Sequence, residues 1–544
     1  MVVTHMNGGD TMKRKSDSYH LDIRTQQKSP YGLLRNSYRE DGKVKKETIA
    51  CLSGLSLAQL QNIRAAIRGK SMPGEELVIT ATREYGASFV CAELMKSLEL
   101  DKTIYSRPSE EWVRSSMAMI AGRIVYAGSK LFLSHCGTYS ALWEVFGIEN
   151  VDVNVHCYAT MDKLLERQES IQKTLAKKHL YDGTLVLYDI TSCYMEGEYD
   201  DSELVDFGYS RDRKRGHEQI ILSLLCNKEG CPIAVEVLRG NTKDETTVLD
   251  KINDIHKKYG IENIIFVGDR GMVTQAKYEQ INHDTTKIIS ALTHNVIKEL
   301  AEKEIIQIGM FDENNIVEVI DSELRYCLCK NPEMAAKETQ TRQVLLKKTC
   351  EELDKIIKCT RKTKYTKEMR AGKAVNACKM GKFIVFEGSG EDLKYTVNQE
   401  KVAQEAMWDG CYIIYTDVPK EDMTTVETVK NYKNLINVEQ AFRNMKTVRL
   451  ELRPVFHKKD DRIKCHAFIC MLAYYVMWHM KQKLQPLFDS DGVGADRKFT
   501  FDYIMESLKH ICKNTIEVCG APSSSITRPS YEQKRMLALL EVNM

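Results

Sequence analysis

Three acidic residues carry the chemistry that this sequence could perform: Asp189, Asp269 and Glu439. The first two lie in strongly apolar text. TLVLYDITS (184–192) predicts a buried strand with Asp189 near its end, and NIIFVGDRGM (263–272) predicts another ending in Asp269, with Gly271 behind it. A buried, unpaired carboxylate is costly, and two side by side cost more. Arg270 could pair with one of them. A divalent cation accounts for both, because hard oxygen ligands suit Mg²⁺ or Mn²⁺. A third acid delivered by a later helix would complete a two-metal site for phosphodiester chemistry. Glu439 is the candidate.

The stretch that delivers it, NYKNLINVEQAFRNMK (431–446), reads as a helix. Tyr432, Glu439 and Lys446 recur every seven residues, about two helical turns, and so share one side. Arg443 follows Glu439 by one turn. Val438, Ala441, Phe442 and Met445 offer an apolar face for packing. The same spacing also fits an ordinary surface helix with a Glu439–Arg443 salt pair. The two strand acids are what favour chemistry.

Those acids need a sheet to hold them. After 184–192 come EQIILSLLCN (218–227) and PIAVEVLRG (232–240), two strands joined by Lys228-Glu229-Gly230. A helix follows over 241–260, then the Asp269 strand and KIISALT (287–293). Three strands, a helix, then alternating strand and helix is the order of a ribonuclease-H-like α/β domain. In that fold the first and fourth strands are neighbours, which sets Asp189 beside Asp269. CYIIYTD (411–417) is a buried strand that rejoins the core before the Glu439 helix.

The remaining text falls around this core. Residues 1–75 form a basic hairpin and helix unit, with Asp41-Gly42 as the hairpin turn and Met72-Pro73-Gly74 as a breaker. Residues 76–180 read as helical, with one clear helix over 156–179. The first part of the core spans 181–300 and the second 408–482, separated by a largely β insertion over 301–407. Phe499 to Lys513 reads as a helix within a C-terminal helical tail, 483–544.

A formal net charge of only +2 supplies no global field toward nucleic acid. Any polyanion contact must come from local clusters. One lies in 341–383 and includes Arg342, Lys358, Arg361 and Lys362; a second, 448–464, includes Arg449, Arg453 and Lys458. Seventeen cysteines include no Cys-x2-Cys pair, which disfavours structural zinc and leaves reduced thiols as the default. The longest apolar run, 467–478, is too short for a membrane span. The chain is expected in the cytoplasm.

These motifs together resemble the DDE transposases of bacterial insertion sequences, in the insertion-sequence-four superfamily, and most of all its sixteen-thirty-four-like branch. YDITS, DFGYSRDRKRGHEQI, GNTKDETT, FVGDRGM and DGCYIIYTD carry the resemblance, with the Glu439 helix. In the superfamily signature Y-x2-R-x3-E-x6-K, Tyr432, Glu439 and Lys446 match in register, while Leu435 replaces the Arg and Arg443 lies on the next turn. The resemblance implies two Mg²⁺ ions, replaceable by Mn²⁺, held by Asp189, Asp269 and Glu439. It implies phosphate contacts at Tyr432 and Lys446, hydrolytic nicking at terminal inverted repeats, and strand transfer into target DNA. It further implies a homodimer on paired DNA ends, associated with the nucleoid. The residues leave open a DNA-binding protein that keeps the fold without the chemistry, and a nuclease of the same fold that cuts without joining.

Overall fold

A computed structural model describes residues 18–25, 29–40, 43–68, 77–212, 214, 216–359, 365–490, 497–518 and 521–544. It divides into two compact units. The larger comprises Cys91–His135 and Phe146–Pro486. Its centre is an eight-stranded mixed sheet: β1 Thr184–Tyr194, β2 Gln219–Asn227, β3 Pro232–Arg239, β4 Ile264–Gly268, β5 Thr286–Ala291, β6 Val317–Asp321, β7 Leu324–Lys330 and β8 Cys411–Thr416. The spatial order is β6-β7-β8-β5-β4-β1-β2-β3. β1, β2 and β3 pair antiparallel, and β1, β4 and β5 pair parallel. The first and fourth strands are neighbours, as the sequence predicts. Every residue of β2 is buried, which is why QIILSLLCN reads as a continuous apolar run.

β8 returns from the intervening segment and pairs antiparallel with β5, while β7 and β6 add to its other side. Asp417, just past β8, is buried and pins this join: it accepts from the Ile288 amide at 2.6 Å and lies 2.6 Å from His283 Nδ1. Residues 301–407 are not largely β. Their two core strands and one short two-stranded ribbon are outweighed by the helices Pro332–Lys358, Lys367–Cys378 and Gln399–Ala406. The lysines and glutamates in this stretch favour helix over strand. Leu353, Ala371, Val375, Ile384 and Leu393 give it a small core of its own.

The lead into the Glu439 helix is fixed by one buried cation. Arg325 of β7 donates Nη1 to the carbonyls of Val418 and Met423, at 2.7 and 2.9 Å, and pairs with Glu318 at 2.7 Å. Thr424 then starts the helix through a capping box with Glu427. Behind the sheet's residues runs the helix Asp460–Ser490, whose stretch from Cys465 to Met477 is wholly buried. It extends past both ends of the apolar run 467–478 read from the sequence.

The helix expected over 156–179 is three pieces: a π-helical turn Val153–Ala159 capped by Asp152, then Thr160–Glu166 and Gln168–His179. The break at Arg167 leaves the apolar periodicity intact, so the pattern alone does not reveal it.

The smaller unit comprises Met1–Val90, Cys136–Val145 and Leu487–Met544. Strands Ser18–Arg24, Tyr31–Glu40 and Lys43–Leu52 form an antiparallel sheet against the helix Leu57–Ile67, with Leu21 and Leu60 buried between them. The expected turn residues Asp41-Gly42, the Met72-Pro73-Gly74 breaker and the first basic residues lie outside the described residues. The C-terminal region is not purely helical. The helix ends at Lys509, and Cys512–Val518 and Ala521–Ile526 form a hairpin on Leu77–Glu84. Its second strand, APSSSI, lacks the apolar alternation that announces a strand; pairing with Cys512–Val518, itself seated on Leu77–Glu84, supplies the order instead.

Arg325→Leu removes three anchors at once and leaves Glu318 without its closest buried partner. We expect a loss of about 2–3 kcal/mol in urea denaturation, discounted because Lys420 and Thr425 also hold Glu318. A change within the ~0.5 kcal/mol typical of surface substitutions would show that the lead-in is held by other contacts.

Candidate active site

The parallel ladder between β1 and β4 ends at the pair Tyr188–Gly268. The next residues on the two strands are Asp189 and Asp269, so register sets the acids side by side. Asp189 is not near the end of its strand, however. β1 continues to Tyr194 in its antiparallel pairing with β2, where Asp189 faces Leu224. Only the parallel ladder stops at the acid.

Burial pushes the Asp189 carboxyl up to about 7, and the neighbouring charges of Asp269 and Glu439 push the same way. The Ile190 amide, 2.8 Å from Oδ1, and the more distant Arg211 act in opposition without cancelling the shift. Asp269 Oδ1 accepts the Tyr432 hydroxyl at 3.1 Å. That phenol is held protonated by burial and by the acid it contacts.

Glu439 arrives on the helix Leu435–Arg443, which packs on β1. Val438, Ala441, Phe442 and Met445 are buried as the apolar spacing predicts. The helix is not continuous over 431–446. Thr425–Lys433 and Leu435–Arg443 meet at Asn434, and a π-helical turn, Asn444–Val448, follows. Glu439 is exposed, and its carboxylate takes no hydrogen bond or ion pair among the described residues, Arg443 included. Its charge nonetheless reaches both Asp189 and Tyr432. The three carboxylates do not all lie within 4.8 Å of one another. Ligands across one Mg²⁺ are separated by at most ~4.2 Å, so one ion alone would need Glu439 to swing inward.

Two of the cations expected to contact phosphate are engaged within the chain. Lys446 is buried and its Nζ is already engaged: Asp212 Oδ1 at 2.8 Å, Ser192 O at 2.7 Å and Thr191 Oγ1 at 3.0 Å. Arg453 donates to Asp212 Oδ2 at 2.7 Å and stacks over Tyr194 at 4.7 Å. Neither presents a free cation to a phosphate. Both brace Asp212, which sequence reasoning passed over. The one signal was an acid inside the cationic run SRDRKR, where a lone carboxylate has every reason to be paired. From the same run, the Arg211 amide donates to Ser192 Oγ at 2.8 Å and its guanidinium pairs with Asp244.

Of the other candidate DNA contacts, Arg443, Lys358 and Lys458 are exposed and Arg449 is half-buried. Arg361 and Lys362 lie outside the described residues. Arg342, counted in the basic run, is buried in an ion pair with Asp409. Lys355, Lys367 and Lys382 pair with Glu352, Glu391 and Glu405. Much of that basic text is therefore neutralised locally.

A family described as "Transposase DDE domain" matches residues 181–476, and "IS1634 family transposase, N-terminal domain" matches residues 22–77. Among solved structures the chain is similar to a cryo-electron-microscopy structure of a piggyBac transposase synaptic complex with hairpin DNA, at 8% identity and a TM-score of 0.35, covering 78% of this chain and 80% of that one. No curated protein matches the sequence.

Two outcomes follow from the electrostatics. The Asp189 carboxyl ionises near 3.8 when unfolded and near 7 when folded, so the folded chain binds the extra proton between those values. Its contribution is fully present at low pH and is lost as pH rises through about 7. Asp189→Asn should thus raise the melting temperature at pH above about 7 without divalent ions, by at most ~4 kcal/mol equivalent, with the gain vanishing toward acid pH. A pH-independent difference between the two proteins would contradict the assigned shift. Separately, Lys446→Ala should cost about 2–4 kcal/mol in denaturant unfolding, since half of the Asp212 pairing is removed in a buried setting. Unaltered stability would return Lys446 to the role of a phosphate contact.

Proposed function

The chain belongs to the DDE-domain transposases, and from that premise we propose that it cleaves the ends of its own insertion sequence and joins them to target DNA, with Asp189, Asp269 and Glu439 as its catalytic acids. The observation that carries this reading is the strand register: the end of the β1–β4 ladder forces Asp189 against Asp269, within reach of the charge on Glu439. We read β1 to β5, with their 3-2-1-4-5 order and mixed directions, as a ribonuclease-H-like core. Residues 301–407 then interrupt it, 181–300 and 408–482 being its two parts. Segments 1–75, 76–180 and 483–544 surround it.

The donor set fits divalent metal. All three groups are hard oxygen ligands, and the Asp189 carboxyl, raised chiefly by burial and further by Asp269 and Glu439, is a charge that a cation would stabilise. Asp189, Asp269 and Glu439 would together hold two Mg²⁺ ions, which Mn²⁺ could replace. Such ions supply Lewis acidity for an attacking water or 3′-hydroxyl and for the leaving oxygen. The chain's own part is orientation. Tyr432 holds one oxygen of Asp269, and the apolar face of the helix fixes the height of Glu439 over β1.

The substrate is double-stranded DNA, first the terminal inverted repeats and then the target. Exposed Arg443 and Lys458 stand on the segments flanking Glu439 and suit backbone phosphates. A homodimer would pair the two ends. No helix among the described residues is long and apolar enough to cross a membrane; we place the protein in the cytoplasm, on the nucleoid.

The test is cleavage of labelled DNA carrying the element's own ends, beside a binding assay, with and without Mg²⁺. Glu439→Gln keeps size and helix propensity but removes the charge. End binding should persist, while nicking and strand transfer fall together by at least about a thousandfold, ~4 kcal/mol. Full cleavage by this variant would remove Glu439 from the site.

A further inference from the structure

A second cluster lies apart from the three acids. His179 ends the helix Gln168–His179, Cys231 closes the turn between β2 and β3, and His479 sits in the long apolar helix Asp460–Ser490. No local sequence motif joins them. In the fold, one ligand atom from each lies within 4.8 Å of the other two. We propose that His179, Cys231 and His479 bind a zinc-type ion, with the exposed Glu229 as a nearby negative charge.

Ligand chemistry supports a borderline-soft metal over Mg²⁺, since one thiol and two imidazoles make a nitrogen and sulfur donor set. Tetrahedral zinc separates its ligand atoms by ~3.6 Å, so closure asks for side-chain shifts of about 1 Å. His479 Nε2 is buried with no hydrogen-bond partner among the described residues, an orphan that a metal would satisfy. Tyr475 OH lies 3.0 Å from His179 Nε2, the kind of outer hydrogen bond that fixes a ligating ring's tautomer. Glu229 is exposed, and its charge acts on both His179 and Cys231. Trp478 Nε1 donates to the Glu229 carbonyl at 3.4 Å, holding the turn against the same helix.

The position gives the ion a consequence. Gly230, between Glu229 and Cys231, adopts φ +85°, and a Cβ there would come within 2.6 Å of Asn437 Cβ. Asn437 is on the helix of Glu439. A metal at Cys231 would staple the β2–β3 turn beneath that helix. On binding, the Cys231 thiol gives its proton to solvent and the thiolate takes the metal.

The experiment uses the full chain in excess Mg²⁺ and no DNA, so it is independent of the reading of the three acids. Zinc is measured in the purified protein, then replaced by titrated Co²⁺. We expect about one equivalent of zinc per chain and, with cobalt, a thiolate charge-transfer band that Mg²⁺ does not displace. Cys231→Ser should abolish the band, and His479→Gln should weaken cobalt binding by at least ~100-fold. Glu229→Gln should keep the band and weaken binding by about tenfold. Absence of both zinc and the band in the unaltered chain overturns the proposal. So does a band surviving in Cys231→Ser, which would belong to another thiol. Should Cys231→Ser fail to fold, undiminished cobalt affinity in His479→Gln overturns it equally.

Discussion

The larger unit depends on a single matter of register. β1 and β4 run parallel for five paired positions and part where the acids begin. Had the ladder slipped by one residue, Tyr188 and Asp189 would exchange faces and the carboxylate would enter the core. Tyr188 is fully buried against Phe266, at 5.6 Å between ring centroids, and this pair locks the alternation. Apolar packing on one face thus sets two like charges together on the other. The sheet tolerates their repulsion because Asp189 holds its proton to about neutral pH when no cation is present.

A second electrostatic knot lies farther along the same strand. Lys446 reaches Thr191 and the Ser192 carbonyl of β1, two and three residues past Asp189, and meets Arg453 on Asp212. Two cations on one carboxylate, in a buried setting, gain little net stability over an apolar substitute. What they fix is position. The π-helical turn after Glu439 is tied to the strand of Asp189, so the second acid-bearing element cannot slide along the first without unpairing buried charges. The signature spacing of Tyr432, Glu439 and Lys446 then has a structural meaning: the outer two anchor the segments on either side of the Glu439 helix at Asp269 and Asp212, and the middle one has no partner among the described residues.

The sheet and its acids were legible because they are written in local patterns. β1, β2, β4 and β8 are short apolar runs with an acid or turn signal at their ends, and each stands within one or two residues of its expected bounds. Position was less legible where it depends on pairing. The hairpin of Cys512–Val518 and Ala521–Ile526 has no amphipathic signal in its second strand, which pairs only with the first, and the first pairs with Leu77–Glu84, over four hundred residues away. The basic run after Arg342 suggested a DNA face, but charge counted along a chain does not reveal which cations already have partners. Arg342 is spent on Asp409, and Lys446 and Arg453 on Asp212. The His179–Cys231–His479 group shows the same limit, since spacing rules see ligands only when they are near in sequence.

Glu439 is therefore the adjustable member of the three acids by construction. Asp189 and Asp269 are fixed by the sheet, and Tyr432 further restrains Asp269. The helix of Glu439 is held upstream by Tyr432, downstream by Lys446, and from the side by close packing of Asn437 on Gly230. Its backbone has little freedom to advance on the other acids, yet its side chain is exposed and has no partner among the described residues. A glutamate has three rotatable bonds, and a rotamer change moves its carboxylate by several ångströms at a cost of about 1 kcal/mol or less. Closure around a cation can thus proceed through one side chain over a rigid frame. On the proposed reading, that arrangement would explain why the third acid is a Glu on a braced helix while the other two are the shorter Asp: the sheet would supply fixed ligands, and the longer side chain the reach.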